Sequence, residues 1–530
     1  MGATAKAPKK RESFSSRKVF IFAAIGSAVG LGNIWRFPYV AYDHGGGAFM
    51  IPYLVALLTA GLPFLFFDYS IGHRGRASSP LAFRRLNRKT EFIGWWHMGI
   101  NFIIAIYYAA ILAWSLRYML FSLNSSWGED PASFFTGEFL HVGDPALSFD
   151  FVPGILIPLA LIWAVLLMVM SLGVQKGVGA ANVLFIPLLI IMFVVLVAYS
   201  LTLEGAFQGL NALFTPNWAA LADPQVWVAA YGQIFFSLSV GFGIMITYSS
   251  YLKPKADLTG SGAVVGFSNS GFELLAGIGV FAALGFMANA AGTAVSEVAT
   301  SGIGLAFIAF PTIISQAPGG TIIGLLFFGS LLFAGFTSMI SIVEVIVAGV
   351  QDKFGMARRN ATALVIVPLA LISTVFMSTT SALYVLDILD NFVNTFGILA
   401  AGLVAIVTVA YFVRGLPTLR DHLNQHGSIK VGGLWMALLA VITPLVLGYA
   451  LITTVIKLIN TPYEGYPDSL LIPFGWVMSI LLVVVAVVIS RLPWSNSSRA
   501  ALQPPAQPVS GGAVMTEYVD PTRTNAQKEA

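Results

Sequence analysis

The chain has 530 residues, of which 57% are hydrophobic and only 10% charged, and its mean hydropathy is +0.82. Soluble globular proteins carry about 25% charged residues, so this composition excludes a soluble domain and predicts an integral membrane protein. The formal charge of +4 does not indicate a nucleic-acid partner, because the basic residues follow membrane topology.

Long apolar runs recur from one end of the chain to the other. Each is about 20 residues long, which is enough to cross about 30 Å of hydrocarbon as a helix. The runs are apolar on nearly all sides and lack the alternation of an outer-membrane barrel. They predict an all-α membrane protein with about 12 transmembrane helices. The spans are expected near residues 17–40, 46–71, 92–123, 152–172, 177–203, 226–251, 261–290, 321–351, 361–378, 383–413, 432–458 and 469–491.

The loops between these spans alternate in charge. The N-terminal "KAPKKRESFSSRK" and the loops at 73–89, 253–255 and 414–430 are basic and fall on one side of the predicted bundle, whereas the opposite loops are acidic. By the positive-inside rule, both termini are expected to be cytoplasmic, in a multi-pass protein of the cell membrane. No cleavable signal peptide is expected, because the first apolar segment is too long. Residues 492–530 are rich in Ser, Pro, Ala and Gln and are expected to form a disordered tail.

The first apolar segment contains the stretch "GSAVGLGNIWRFP", which is unusual for a helix inside a membrane. Glycine weakens a helix interior by about 1 kcal/mol relative to Ala, and buried polar groups need partners. The sixth segment has a similar pattern, with "VGFG" at 240–243 against "VGLG" at 29–32. For either segment alone, close helix packing is the favoured explanation. Their matched positions five spans apart, in units of opposite topology, instead predict a transporter's binding site at the membrane midplane.

Two stretches carry a resemblance to a known family. "AVGLGNIWRFPYVAYDHGGGAFMIPY" and "GQIFFSLSVGFGIMITYSSY" resemble the first and sixth helices of the neurotransmitter:sodium symporter family, in particular its bacterial amino-acid branch. The resemblance implies the leucine-transporter fold, with a 5+5 inverted-repeat core and helices 1 and 6 unwound at the midplane. The implied segments are a gate segment at 1–16, a first repeat at 17–203, an inverted repeat at 226–413, two further helices within 432–491 and the tail at 492–530.

The same resemblance implies a symporter that imports neutral, mainly hydrophobic amino acids with sodium by alternating access. Two sodium sites and no organic cofactor are expected, and sodium favours several hard oxygen ligands with few formal charges. The residues that match the first sodium site are Ala28, Asn33, Ser237 and Asn269. The residues that match the second are Gly26, Val29, Ala334, Thr337 and Ser338. For the last two hydroxyls, hydrogen bonding to their own helix is the alternative.

The substrate pocket follows from the same alignment of motifs. Tyr108 matches the tyrosine that holds the substrate carboxylate, and Gly30 stands where the monoamine branch has Asp, which implies a substrate with its own carboxylate. The rest of the implied lining is almost wholly apolar, so a charged substrate side chain would lose several kcal/mol. The implied substrate-binding residues are Ser27, Ala28, Gly30, Gly32, Ile104, Tyr108, Phe236, Ser237, Ser239, Phe242, Met339 and Ile342.

A carboxylate within a span is costly and is therefore a functional hypothesis by default. Glu273 stands where chloride-dependent relatives have Ser, so the resemblance implies chloride-independent transport with proton counter-transport through Glu273. Tyr53, Gln233, Ser237 and Asn269 are expected around it.

Further charged residues match the gates of the family. Arg36 and Asp390 are the implied outer pair. Arg11 and Asp352 are the implied inner pair. For each of these charges, a position at a helix end that reaches water is the alternative, which suits Arg11 well and Arg36 poorly. Asp68 is expected to cap the unwound part of the first helix, and Glu344 to line the inner pathway.

Other classes of function find less support. An ion channel would need a selectivity-filter sequence, and none is present. An enzyme would need a nucleophile or metal cluster, but the chain has no Cys and six scattered His, and it lacks the phosphate loop of an ATP-driven pump. A transporter-like receptor is the third rival. The expected partners are a small-molecule amino acid and membrane lipid, with no nucleic acid. A partner subunit or a homo-oligomer remains open.

Overall fold

The structure is a computed structural model and describes residues 12–502. Within this range the chain forms helices and no β-strand beyond two isolated bridges, Gly46 with Pro216 and Phe151 with Thr379. Ten helices of the described range are long and apolar enough to cross a membrane, or up to 11 if a bent pair counts as one span. The predicted all-α fold class is confirmed, whereas the count of 12 spans stays a prediction.

The main helices are numbered here in chain order, and short loop helices such as Ser79–Leu86 and Ala206–Phe214 are left without a number. They are α1 Arg17–Ala28, α2 Leu31–Asp43, α3 Gly47–Gly75, α4 Arg88–Phe121, α5 Pro153–Ser171, α6 Val174–Ser200, α7 Pro224–Ser237, α8 Ile244–Ser249, α9 Leu258–Ala291, α10 Gly302–Gln316, α11 Gly320–Phe354, α12 Arg358–Met377, α13 Ala382–Phe412, α14 Leu416–His426, α15 Gly433–Gly465 and α16 Asp468–Arg491.

The first predicted span is a bent pair of helices. Helix α1 ends at Ala28, α2 begins at Leu31, and their axes differ by 55°. Between them Val29 and Gly30 have extended backbones, with ψ of 95° and −165°. The Gly30 N–H donates to the Asn33 side chain at 2.9 Å, so Asn33 caps the start of α2. The break therefore lies at the glycine-rich motif itself.

The sixth predicted span is also interrupted. Helix α7 ends at Ser237 and α8 begins at Ile244. The residues between them include Ser239, Gly241 and Gly243 with φ of 53°, 83° and 90°, conformations that glycine adopts without the steric penalty of a side chain. Ser239 Oγ donates to the Ser27 carbonyl at 2.9 Å, so the two breaks touch.

Side chains from α3 and α4 hold the second break in place. The Gly241 N–H donates to Asp68 Oδ2 at 3.2 Å, and Asn101 Nδ2 donates to the Phe242 carbonyl at 2.7 Å. Asp68 was expected to cap the break of the first helix, and this expectation is wrong, because α3 directs Asp68 at the second break. Backbone groups freed by the interruption thus find partners on neighbouring helices, as an apolar surrounding requires.

Helix α11 lies at the centre of the bundle. In its most apolar stretch 89% of the residues are buried, and it packs against α1, α4 and α6. In α15 and α16 the corresponding shares are 22% and 28%, and their exposed residues are largely apolar, as expected for helices that face lipid. The broken helices therefore sit beside the most enclosed helix of the protein.

Candidate functional site

A cavity of about 660 Å³ lies where the two breaks meet α4, α11 and α13. The implied substrate residues line it, with the exception of Met339, which is fully buried in α11 and does not face the cavity. The residues that do line it are Ser27, Ala28, Gly30, Gly32, Ile104, Tyr108, Phe236, Ser237, Ser239, Phe242 and Ile342. The chain thus brings together residues that are more than 300 positions apart.

The polar end of the cavity lies at Gly30. A Cβ atom built on Gly30 would be 3.0 Å from Ser338 Oγ and 3.4 Å from the Tyr108 hydroxyl. Two hydroxyl groups therefore converge on the one residue of the break that has no side chain. Hydroxyl donors arranged in this way can hold a carboxylate.

The opposite walls of the cavity are apolar. Ile104, Phe242 and Ile342 line it, and the Phe236 ring lies against Gly32, where an added Cβ would be 2.2 Å from a ring carbon. Gly32 therefore allows the ring its position. An apolar ligand group would gain about 25 cal/mol for each Å² that these walls cover.

The residues implied for the first sodium site form a chain of hydrogen bonds. Asn33 Nδ2 donates to Asn269 Oδ1 at 2.8 Å, and Asn269 Nδ2 donates to Ser237 Oγ at 3.0 Å. All three side chains are buried, and Asn33 and Ser237 line the cavity together with Ala28. The oxygen atoms here are neutral amides and hydroxyls. Such a set suits a monovalent cation that must also leave, and no group of three His, Cys, Asp or Glu able to hold a metal occurs in residues 12–502.

Fewer hydrogen bonds connect the residues implied for the second sodium site. Ser338 Oγ in α11 donates to the Gly26 carbonyl in α1 at 3.4 Å, and Val29 is buried beside the break. Thr337 Oγ1 hydrogen-bonds within its own helix, to the carbonyls of Phe333 and Ala334 at 3.1 and 2.9 Å. This is the alternative raised from the sequence. A hydroxyl that donates its hydrogen keeps its lone pairs, so the donor set still fits sodium.

Glu273 in α9 is fully buried. Tyr53 donates its hydroxyl hydrogen to Oε2, Gln233 Nε2 donates to Oε1 at 2.6 Å, and Ser237 interacts with the same carboxyl group. The four residues that were expected around Glu273 are therefore either in contact with it or one hydrogen bond away. Because Ser237 also binds Asn269, the carboxyl group is connected to the residues of the first sodium set.

The implied outer gate residues also line the cavity. The Arg36 guanidinium lies 4.7 Å from the centre of the Phe236 ring, whereas Asp390 accepts hydrogen bonds from Tyr107 at 2.7 Å and Asn394 at 3.1 Å. No ion pair within 4.0 Å joins Arg36 to Asp390 in this part of the chain, although both line the cavity. The two opposite charges thus line the same cavity without a direct ion pair.

On the other side of the bundle the site is closed. Arg11 lies outside the described residues, and Asp352 accepts a hydrogen bond from the Ser78 N–H at 2.7 Å. Phe14 is buried against Tyr248 and Tyr251.

Glu344 belongs to the same closed region, where it was expected to line the inner pathway. It is fully buried and binds both terminal nitrogens of Arg358 at 2.7 and 2.5 Å, while the Tyr251 hydroxyl donates to it at 2.5 Å. Its contacts in this structure therefore tie α11 to α12. Arg358 has a part in this closure that the sequence analysis missed.

Two further residues of α4 were missed although a signal for them exists. Successive spacings of four, three and four residues separate His97, Asn101, Ile104 and Tyr108, which places all four on one helix face. Asn101 supports the second break, and a Cβ built on Gly243 would be 3.0 Å from the His97 side chain. Asp387, which binds the Tyr463 and Tyr466 hydroxyls at 3.0 and 2.9 Å, was also missed one turn before Asp390.

The chain is similar to known proteins in sequence and in structure. A model of the sodium:neurotransmitter symporter family matches residues 11–130 and 126–497. An uncharacterized sodium-dependent transporter of Methanocaldococcus jannaschii is 39% identical over 485 residues, which cover 91% of this chain and 98% of that protein. The human sodium- and chloride-dependent taurine transporter is 30% identical over 536 residues, 92% of this chain and 85% of that protein.

A solved structure is similar over its whole length. The crystal structure of MhsT in complex with L-phenylalanine superposes with a TM-score of 0.67 at 29% sequence identity. The match covers 84% of this chain and 100% of that one.

Proposed function

The chain belongs to the sodium:neurotransmitter symporter family, and from this premise we propose that it imports neutral, mainly hydrophobic amino acids together with sodium. It is a multi-pass membrane transporter with the leucine-transporter fold, it depends on sodium and it carries a small molecule; it is not an enzyme. What the proposal adds is the class of substrate, the two ion sites and the absence of a chloride requirement.

One observation carries the choice of substrate. The cavity has hydroxyl groups of Tyr108 and Ser338 converging on Gly30 at one end and apolar walls at the other. An α-amino acid with an apolar side chain matches both ends, because its carboxylate meets the hydroxyls and its side chain meets the walls. The complex of MhsT with L-phenylalanine supports this assignment by similarity.

The proposal includes two sodium sites. In the first, Ala28, Asn33, Ser237 and Asn269 bind one sodium ion together with the substrate carboxylate. In the second, Gly26, Val29, Ala334, Thr337 and Ser338 bind another between α1 and α11. Because the carboxylate completes the first site, substrate and sodium each raise the affinity for the other, and this mutual effect couples their transport.

The absence of a chloride requirement rests on Glu273. Its carboxyl group is buried and in contact with Ser237, beside the first proposed sodium ion. A carboxylate there supplies the negative charge that an anion would otherwise bring, and opposite charge favours its ionised form while sodium is bound. When sodium leaves, the same group takes up a proton, and the carrier returns with it.

Alternating access requires one gate on each side of the site. Arg36 and Asp390 close the outer mouth, and Arg11 with Asp352 close the inner one, in a cell membrane with both termini in the cytoplasm. The burial of Phe14 against Tyr248 and Tyr251 supports a closed inner side.

The test is uptake by purified protein in proteoliposomes. Accumulation of labelled leucine or phenylalanine is expected under an inward sodium gradient, and none when potassium replaces sodium at the same membrane potential. Gly30→Asp provides an internal control, because its carboxylate fills the space beside Ser338 and Tyr108 and should abolish uptake of substrates that carry their own carboxylate. Undiminished uptake in potassium would contradict the sodium coupling.

A further inference from the structure

A second cavity of about 880 Å³ lies between the start of α4 and the end of α16 and shares no lining residue with the candidate site. Its walls contain Arg84, Arg88, Lys89, Arg491 and Arg499. The described lining contains no Asp or Glu. We refer to it as the basic cavity.

Only one of these basic side chains has an acidic partner in the described range. Arg84 forms an ion pair with Glu91, which also binds Lys353 at 3.3 Å. Arg88, Lys89, Arg491 and Arg499 are exposed and form no ion pair with residues 12–502. Four positive charges around one cavity repel one another, and a bound anion relieves that repulsion.

The basic cavity is continuous with an apolar surface. Phe92 and Leu492 line it beside the charges, and α16 carries Ile480, Val484 and Val488, which are 62%, 48% and 54% exposed. Side chains of this kind on a membrane helix face lipid chains. The cavity therefore combines positive charge, at the ends of α4 and α16, with a row of exposed apolar side chains along α16.

We propose that the basic cavity binds an anionic phospholipid. Its headgroup phosphate lies among Arg88, Lys89, Arg491 and Arg499, and its acyl chains lie along the exposed face of α16. Basic pockets between membrane helices on the positively charged side suit phosphate headgroups, and guanidinium groups bind phosphate oxygens in pairs. A free phosphate would use the charges but not the apolar face, which is why the lipid is the better match.

Occupancy of this cavity should stabilise the fold. Trp494 forms part of the wall and donates to Glu91 at 3.0 Å, and Glu91 holds Lys353 at the end of α11. A ligand that binds the folded protein raises its apparent melting temperature. Neither this effect nor binding itself depends on the proposed transport activity.

The experiment titrates the full-length protein in a non-ionic detergent with phosphatidylglycerol or with phosphatidylcholine of the same acyl chains. Binding is followed by native mass spectrometry and by the melting temperature. Phosphatidylglycerol is expected to bind and to raise the melting temperature, with an affinity that falls as salt increases, whereas phosphatidylcholine does neither. Equal binding of the two lipids would overturn the proposal.

Matched variants locate the site. Arg88→Gln with Lys89→Gln and Arg491→Gln should weaken phosphatidylglycerol binding at least tenfold. Lys176→Gln with Lys255→Gln and Arg414→Gln makes the same change in charge on exposed residues outside the cavity and should leave the affinity within about twofold. An equal loss in both triple variants would overturn the assignment. If the first triple variant does not fold, Arg491→Gln and Arg491→Lys replace it, and only the lysine variant is expected to keep binding.

A further binding measurement distinguishes a lipid from a free anion as the ligand. Glycerol phosphate carries the headgroup chemistry without acyl chains and is expected not to bind at concentrations at which phosphatidylglycerol saturates. If glycerol phosphate binds as tightly as the lipid, the cavity is a phosphate site and the lipid assignment is wrong.

Discussion

At the scale of single residues, the chemistry of the main cavity is organised around a missing side chain. Gly30 leaves open the space that Ser338 and Tyr108 face, and any larger residue would occupy it. The substrate's own carboxylate is proposed to occupy this space. The hydroxyl of Tyr108 should therefore contribute directly to substrate affinity.

Tyr108→Phe is expected to weaken amino-acid binding by about 1.5–3 kcal/mol, since a hydrogen bond to a charged group contributes that much. Equilibrium binding of labelled substrate to purified protein measures the effect. Tyr118→Phe is the matched control, because Tyr118 lies on the same helix and its hydroxyl has no partner among the described residues. Equal affinities of the Tyr108 variant and the unmodified protein would contradict the proposed role.

Glu273→Ser should make transport depend on chloride, because the variant lacks the buried negative charge beside Ser237. Uptake in proteoliposomes with and without chloride measures this. Glu273→Gln serves as the comparison, since it keeps the size of the side chain but can neither ionise nor release a proton. Full activity of the serine variant in chloride-free medium would falsify the proposal that the Glu273 carboxylate takes the place of chloride.

Thr337→Val combined with Ser338→Ala removes two oxygen ligands from the second proposed ion site. The increase in melting temperature on addition of sodium should shrink, because a ligand stabilises only the state that binds it. Thr312→Val with Ser330→Ala is the control, as both hydroxyls hydrogen-bond within their own helices away from the site. If sodium raises the melting temperature of the Thr337→Val, Ser338→Ala variant as much as that of the unmodified protein, the proposed second sodium site is wrong.

At the scale of helices, the two interruptions depend on support from their neighbours. The break between α7 and α8 is held by Asp68 from α3 and Asn101 from α4. Without such donors and acceptors, its free backbone groups would be unsatisfied in an apolar surrounding.

Asn101→Ala should destabilise the protein by about 1–3 kcal/mol, the cost of leaving a buried acceptor such as the Phe242 carbonyl without its donor. Substrate affinity should fall as well, since Phe242 lines the cavity. Thermal unfolding and binding measure the two effects. Ser115→Ala is the control, because Ser115 is buried on the same helix and bonds to its own Ile111 carbonyl. If both variants behave alike, Asn101 does not stabilise the break.

The positions of the two breaks were predictable because the conformational preference of glycine is a local property of the sequence. Both interruptions occur at the "VGLG" and "VGFG" motifs. Their partners were less predictable, since which side chain reaches a break depends on helix packing. Asp68 was assigned to the wrong break for this reason, and Asn101 was overlooked although it shares a helix face with Tyr108. Met339 belongs to the expected pocket by alignment, yet it is fully buried and does not line the cavity.

Pairs between distant helices were the hardest to foresee. Glu344 and Arg358 lie 14 residues apart across the turn from α11 to α12, and no spacing rule predicts their contact. Arg36 and Asp390 were expected as partners, and they face one cavity without a direct ion pair. Residue type alone thus did not predict which side chains pair with each other, because the packing of distant helices sets those contacts.

At the scale of the whole molecule, the orientation in the membrane is a prediction that the composition makes easy to test. Because the chain has no cysteine, each introduced cysteine is a unique label site. In intact cells, a membrane-impermeant maleimide should label Glu464→Cys, whereas Lys255→Cys should react only after permeabilisation. The unmodified protein is the control for background. The reverse pattern would invert the proposed topology.

The contacts of Glu91 also bear on how the protein is made. Glu91 and Lys353 are 1% and 2% exposed in the finished fold, and their burial is completed by the Trp494 ring nitrogen and the Leu492 carbonyl. During synthesis, α4 and α11 enter the membrane well before residues 489–494 leave the ribosome. Until then Glu91 and Lys353 have each other but lack the Trp494 donor and the Leu492 acceptor, so water has to satisfy these two positions. Packing of α16 against α4 is therefore the step that completes the hydrogen bonds of this ion pair.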